Sequence, residues 1–85
     1  MTISWVNMTF KPYCDRSGIE LLPDDLRFIA KYLSYIPADR RKFVMKQYCE
    51  EWKQGMSDEK SQLAKMNSGR RRANSYLREA VGDKI

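Results

Sequence analysis

The apolar positions of this chain fall into two rhythms. Near the start, Val6, Met8 and Phe10 alternate with Asn7, Thr9 and Lys11, a two-residue period that predicts extended backbone with one buried face. Pro12 interrupts the pattern, as proline does at the end of a strand. Asp15-Arg16-Ser17-Gly18 follows as a turn signal, because aspartate bonds its own downstream backbone and glycine accepts positive φ. Ile19-Glu20-Leu21 then suits a short returning strand. Residues 1–22 are thus expected to form an extended or β-hairpin segment, which is marginal alone in water and must pack on something helical.

From Leu22 the period changes. Leu22, Leu26, Ile29, Leu33 and Ile36 recur at spacings of four and three, one apolar stripe of a helix. Phe28, Tyr32 and Tyr35 form an aromatic flank beside it. Pro23 fits the first helical position, and Asp24 and Asp25 complement the positive end of the helix dipole. Pro37 ends this helix, because the residue before proline avoids the α region, and it opens a second one expected to run to about Gln54. That helix turns Met45, Tyr48, Cys49 and Trp52 inward, with Phe43 and Val44 beside them and Gly55 as its stop. Ser57 is expected to cap a third helix, with Asp58 and Glu59 in its first turn. Its apolar side is Leu63, Met66, Ala73, Leu77 and Val81, and Gly82 is its stop. Gly69 falls in the middle at a cost of about 1 kcal/mol relative to alanine. Three alternatives stay open there: a helix bent or broken at Gly69, a partner that approaches closely, or a loop at Asn67-Ser68-Gly69 between two shorter helices.

The expected fold class is therefore mainly α, a compact three- to four-helix domain over residues 23–82 preceded by the short extended or β-hairpin segment. The 85 residues make a single domain. The expected core is Val6, Phe10, Leu22, Leu26, Ile29, Leu33, Ile36, Val44, Tyr48, Trp52, Leu63, Ala73 and Leu77.

Composition adds a direction to this picture. Sixteen Lys and Arg against eleven Asp and Glu give a formal charge of +5, with no histidine. A positive surplus favours anionic partners: nucleic acid or an acidic protein surface. No apolar run approaches the roughly 20 residues of a membrane span, so no membrane partner is expected. The first residues lack the basic and apolar regions of a signal peptide. The expected location is cytoplasmic, where Cys14 and Cys49 are reduced; the alternative is a bridge between them.

The chemistry-bearing residue types are sparse. Without histidine the usual general base at neutral pH is missing. Two cysteines cannot close a four-ligand zinc site, and Cys14-Asp15-Arg16-Ser17-Gly18 resembles only half of a zinc knuckle. A nucleophilic Cys14 would lack a neighbouring histidine base. Asp24, Asp25 and Asp39 are explained by their helix starts. No phosphate loop, serine elbow or paired-carboxylate motif is present. The chain is expected to be no enzyme and to need no cofactor or metal.

The basic segments carry more. Asn67, Arg70, Arg71, Asn74 and Arg78 share one helical face through spacings of three and four, with Arg72 in the same run. Arginine forks suit phosphate and guanine edges, and asparagine suits adenine. Arg40, Arg41 and Lys42 are expected as a second basic patch if the fold brings the helices together. The expected function is binding in nucleic-acid metabolism, with DNA or RNA held by the third helix. The alternative is a protein-binding modulator or inhibitor of a host enzyme of nucleic-acid processing or defence. The surplus aromatics Trp5, Tyr13, Tyr32, Tyr35 and Tyr76 motivate that alternative, since Tyr, Trp and Arg are the usual interface anchors.

Pro37-Ala38-Asp39-Arg40-Arg41-Lys42-Phe43, then Tyr48, Trp52 and the stretch from Arg70 to Glu79, resemble in general character the small accessory proteins of bacteriophages and prophages. The likeness extends over the whole chain and transfers no functional residue. It implies a single-domain, non-enzymatic protein aimed at replication, recombination or host defence.

Overall fold

Four helices form where the sequence supplies starts and stops, in a computed structural model that describes residues 10–57 and 59–82. They are α1 (Lys11–Arg16), α2 (Pro23–Leu33), α3 (Ala38–Ser57) and α4 (Gln62–Val81). The mainly helical expectation holds. The extended pattern at Val6 and Met8, and Trp5 with it, lies outside the described residues.

Residues 10–16 are helical where a strand was expected. Phe10 and Cys14 are four apart and both fully buried, so the short window fits a helical face as well as a two-residue period. Pro12 sits in the first turn of α1, where its missing N–H costs nothing. The turn signal is real but ends a helix instead of joining strands. Gly18 takes φ +80°, and the Ile19 N–H donates to the Cys14 carbonyl at 3.0 Å. Ile19 and Leu21 then cross to α2 as buried anchors without strand pairing.

The start of α2 combines Pro23 in its first turn with Asp25, whose Oδ2 accepts from the Leu22 backbone N–H at 2.9 Å. Serving as the cap leaves Leu22 itself 49% exposed, so it is not core. At the other end, the Arg41 Nε donates to the Leu33 and Ile36 carbonyls at 3.0 and 2.8 Å. A cation here complements the negative end of the α2 dipole.

Gly55 does not stop α3, which runs on to Ser57. The reason is contact with α4. A Cβ at Gly55 would stand 2.6 Å from the Ser68 carbonyl oxygen and 2.8 Å from the Gly69 Cα. The two helices are antiparallel neighbours, and their backbones meet where both sequences have glycine. Gly69 is correspondingly buried inside one continuous α4, with no loop at 67–69. Ser61, not Ser57, caps α4 by accepting from the Ala64 N–H at 3.1 Å, and Gly82 ends it at φ +74°. The later start leaves Leu63 in the first turn and 73% exposed, so it too leaves the core.

Trp52, Tyr48 and Phe10 are the largest fully buried side chains. Phe10 meets Tyr48 edge-on at 5.8 Å between ring centroids, and Tyr48 meets Trp52 at 6.0 Å. Around them pack Ile29 and Leu33 of α2, Cys49 of α3 and Ala73 and Leu77 of α4. The core expectation holds at ten positions (Phe10, Leu26, Ile29, Leu33, Ile36, Val44, Tyr48, Trp52, Ala73 and Leu77). Cys14, Ile19 and Leu21 join them, and so does one charged group, Asp25 at 4% exposure.

Candidate functional site

Helix α4 buries Met66, Gly69, Ala73 and Leu77, and the positions between them are divided between its flanks and its outer face. The three consecutive arginines point in three directions. Arg70 turns inward: its Nε donates to Asp25 Oδ1 at 2.7 Å, and its guanidinium lies 5.3 Å over the Trp52 ring. Asp25 thereby caps α2 with one oxygen and ties α2 to α4 with the other. A buried carboxylate is tolerated only when paired and hydrogen-bonded in this way. Arg72 reaches across α3 to Glu51 Oε1 at 3.0 Å. Arg71 is exposed and makes no ion pair among the described residues.

The remaining members of the expected face divide in the same way. Asn74 is half-buried, and its Oδ1 accepts from the Tyr48 hydroxyl at 2.8 Å. Asn67 is exposed, and its Oδ1 accepts from Arg70 Nη1 at 3.2 Å. Arg78 is exposed, with its guanidinium 5.3 Å over the Phe28 ring of α2. Phe28 stacks on Tyr32 at 4.4 Å, and Lys31 Nζ lies 5.8 Å from the Tyr32 ring. This ladder of cations and half-buried aromatics runs along the α2–α4 seam. Its aromatic rungs belong to the flank seen in the sequence; only the fold sets them beside Arg78.

Asn67, Arg70, Arg71, Asn74, Ser75 and Arg78 line a shallow trough of about 390 Å³ with no apolar residue in it. On the other side of Arg71 a second trough, about 550 Å³, is lined by Glu51, Ser68, Arg71, Arg72, Ser75, Tyr76 and Glu79. Arg71 therefore stands on the ridge between the two. The first trough carries cations alone as its charged groups, whereas the second mixes both signs.

The second basic patch does not form. Arg40 turns toward the end of α4, where it lines a groove with Tyr76 and Val81. Arg41 is bound to the end of α2. Lys42 faces α1, beside Phe10 and Tyr13. Consecutive positions on a helix are separated by about 100°, which accounts for the splay. The Arg40 groove, about 370 Å³, also holds Tyr35, Pro37 and Phe43, and Phe43 is 67% exposed.

Several titrating groups are perturbed. Burial pushes the Tyr48 hydroxyl above its ordinary value, and the Asp25 charge adds to it. Burial raises Tyr76 too, with Glu51 adding and Arg40 opposing. The Cys14 thiol is raised first by its hydrogen bond with Cys49, then by burial. A nucleophilic cysteine needs the opposite shift. No group of three or more potential metal ligands occurs among the described residues, and none of the helices described is long and apolar enough to cross a membrane. No known protein family, curated protein or solved structure matches the chain.

Proposed function

We propose that this protein is a non-enzymatic binder acting in nucleic-acid metabolism, and that it tracks the phosphate backbone of a single strand along the α2–α4 seam. The observation that carries this reading is the pairing of Arg71 and Arg78 on one exposed face of α4, without carboxylate partners among the described residues. They stand two turns, roughly 10 Å, apart along the helix. Phe28 and Tyr32 lie next to Arg78, and cations interleaved with aromatic faces suit a strand whose bases are free to stack.

Base-edge reading has less support. Arg70 is committed to Asp25 and Asn74 has its carbonyl engaged by Tyr48, so two of the groups best suited to recognise bases serve the fold. Binding is then sequence-tolerant, resting on phosphate contacts and stacking. The role fits the general likeness to phage and prophage accessory proteins. The test is a titration of labelled single-stranded and duplex oligonucleotides of unrelated sequence at low ionic strength. Tight, sequence-independent binding of the single strands supports the reading, and no measurable binding of either form overturns it.

A second reading rests on Phe43. Its exposed ring beside Tyr35 and Arg40 suits an anchor for a protein partner, as a modulator of a nucleic-acid-processing or defence enzyme requires. Capture of a host protein from nuclease-treated lysate, lost with Phe43→Asp and kept with Arg71→Gln, favours this reading over the first.

A further inference from the structure

Helix α1 has six residues, far below the length at which a helix holds itself in water. What fixes it is the burial of Phe10 and Cys14 against α3. Cys14 and Cys49 are both fully buried, and their sulfurs lie 2.9 Å apart across a sequence separation of 35 residues. No side chain stands between them. A disulfide bond length of about 2.05 Å is then reached by closing roughly 0.9 Å.

We propose that Cys14 and Cys49 form an intramolecular cross-linking site, which takes a disulfide and locks α1 onto α3. The oxidant is a small-molecule disulfide such as oxidised glutathione. One cysteine loses its proton and attacks a glutathione sulfur, releasing one glutathione thiolate and leaving a mixed disulfide on the protein. The second cysteine, deprotonated in turn, attacks the protein sulfur of that intermediate and displaces the second glutathione. Two cysteine S–H bonds are exchanged for one S–S bond; the two electrons and two protons leave with two molecules of reduced glutathione.

Burial decides the kinetics. Neither thiol meets solvent while α1 is docked, so exchange proceeds through local opening of α1, a fluctuation smaller than global unfolding. The same burial then shields the finished bond from reductant. Because the bond closes a loop of about 35 residues, it lowers the unfolding equilibrium constant several-hundred-fold in the chain-entropy account. This site is separate from the α2–α4 seam, so its test stands whatever that seam binds.

The experiment equilibrates the full chain in glutathione buffer with the oxidised form in excess. Intact mass, thiol labelling after denaturation and a thermal melt with and without reductant are the readouts. The expected product is a monomer two hydrogens lighter, with no labelled thiol and no attached glutathione, melting about 10 °C or more above the reduced form. Cys14→Ala and Cys49→Ala are expected to lose the reductant-dependent difference. Since the wild-type mass and melt decide the outcome, a variant that fails to fold leaves the test intact. Retention of both thiols, a dominant glutathione adduct, a disulfide-linked dimer, or a cross-linked form that melts no higher than the reduced one would overturn the proposal.

Discussion

Replacing Gly69 by alanine sets two physical effects against each other. In an exposed helix interior the change gains about 1 kcal/mol, because glycine loses more backbone freedom on folding than alanine does. Here a methyl at position 69 would overlap Trp52 Cδ1 and stand 2.6 Å from Trp52 Nε1 and 2.8 Å from the Trp52 carbonyl oxygen. The indole is fully buried, and the carbonyl belongs to the α3 backbone. Relief requires α3 and α4 to separate, which also loosens the Gly55 contact with Ser68 and Gly69. Overpacking of this kind costs about 1–3 kcal/mol. With backbone involved the upper end applies, and after subtracting the propensity gain a net loss of about 2 kcal/mol remains. For a domain of this size that lowers the thermal midpoint by about 10 °C. Circular dichroism melts of the variant beside Ser75→Ala, an exposed position on the same helix, supply the assay. The control is expected to stay within about 0.5 kcal/mol of wild type. An unchanged or raised midpoint for Gly69→Ala refutes the close crossing of α3 and α4.

Removing Asp25 strands Arg70 and uncaps α2. Because the Arg70 side chain keeps 24% of its exposure, it rehydrates in part, and Asp25→Ala is expected to cost about 2–3 kcal/mol in denaturant unfolding. Adding Arg70→Ala should cost less than the sum of the two single changes, since both act on one pair. Tyr48→Phe leaves Asn74 Oδ1 without its donor and is expected to cost about 1 kcal/mol at neutral pH. The folded-state value of the Tyr48 hydroxyl lies above its unfolded one, so this residue's contribution is complete below the ordinary tyrosine range, about pH 10, and is lost as pH rises past it. Stability followed from pH 8 to 11 should fall at the alkaline end in the wild type and fall less in Tyr48→Phe; identical slopes contradict the burial argument.

The long helices were legible in the sequence because their stripes extend over many turns. Leu26, Ile29 and Leu33 all lie where the period put them. The short elements were ambiguous for a physical reason. Val6, Met8 and Phe10 fit a strand, but Phe10 and Cys14 fit one helical turn equally well, and Pro12 suits either. Gly55 looked like a stop because a glycine at a helix end and a glycine at a helix crossing are alike in sequence. That misplaced stop also misassigned the cap from Ser61 to Ser57 and placed Leu63 in the core. The candidate site was half legible. Spacing found the face containing Asn67, Arg71 and Arg78, but it could not tell that Arg70 had a buried partner 45 residues away in Asp25. Asp25, the second of the aspartate pair that follows Pro23, was the available signal. The flank of Phe28 and Tyr32 was visible as a stripe, while its juxtaposition with Arg78 required the fold.

The proposed function concentrates on two exposed arginines, so their effect on salt dependence tests it most directly. Binding of a labelled single-stranded oligonucleotide is followed by fluorescence anisotropy across a salt series for wild type, Arg71→Gln, Arg78→Gln and the double variant. Each phosphate contact on a single strand contributes about −0.7 to the log–log salt slope. The predicted result is a slope reduced by about that amount in each single variant and by about twice that in the double, with weaker binding of all sequences tested, a melting temperature unchanged in Arg71→Gln, and one slightly lowered where Arg78 leaves the Phe28 ring. A wild type that shows no salt-dependent binding, or a double variant that binds with the wild-type slope and affinity, would contradict the assignment of the α2–α4 seam as the nucleic-acid surface.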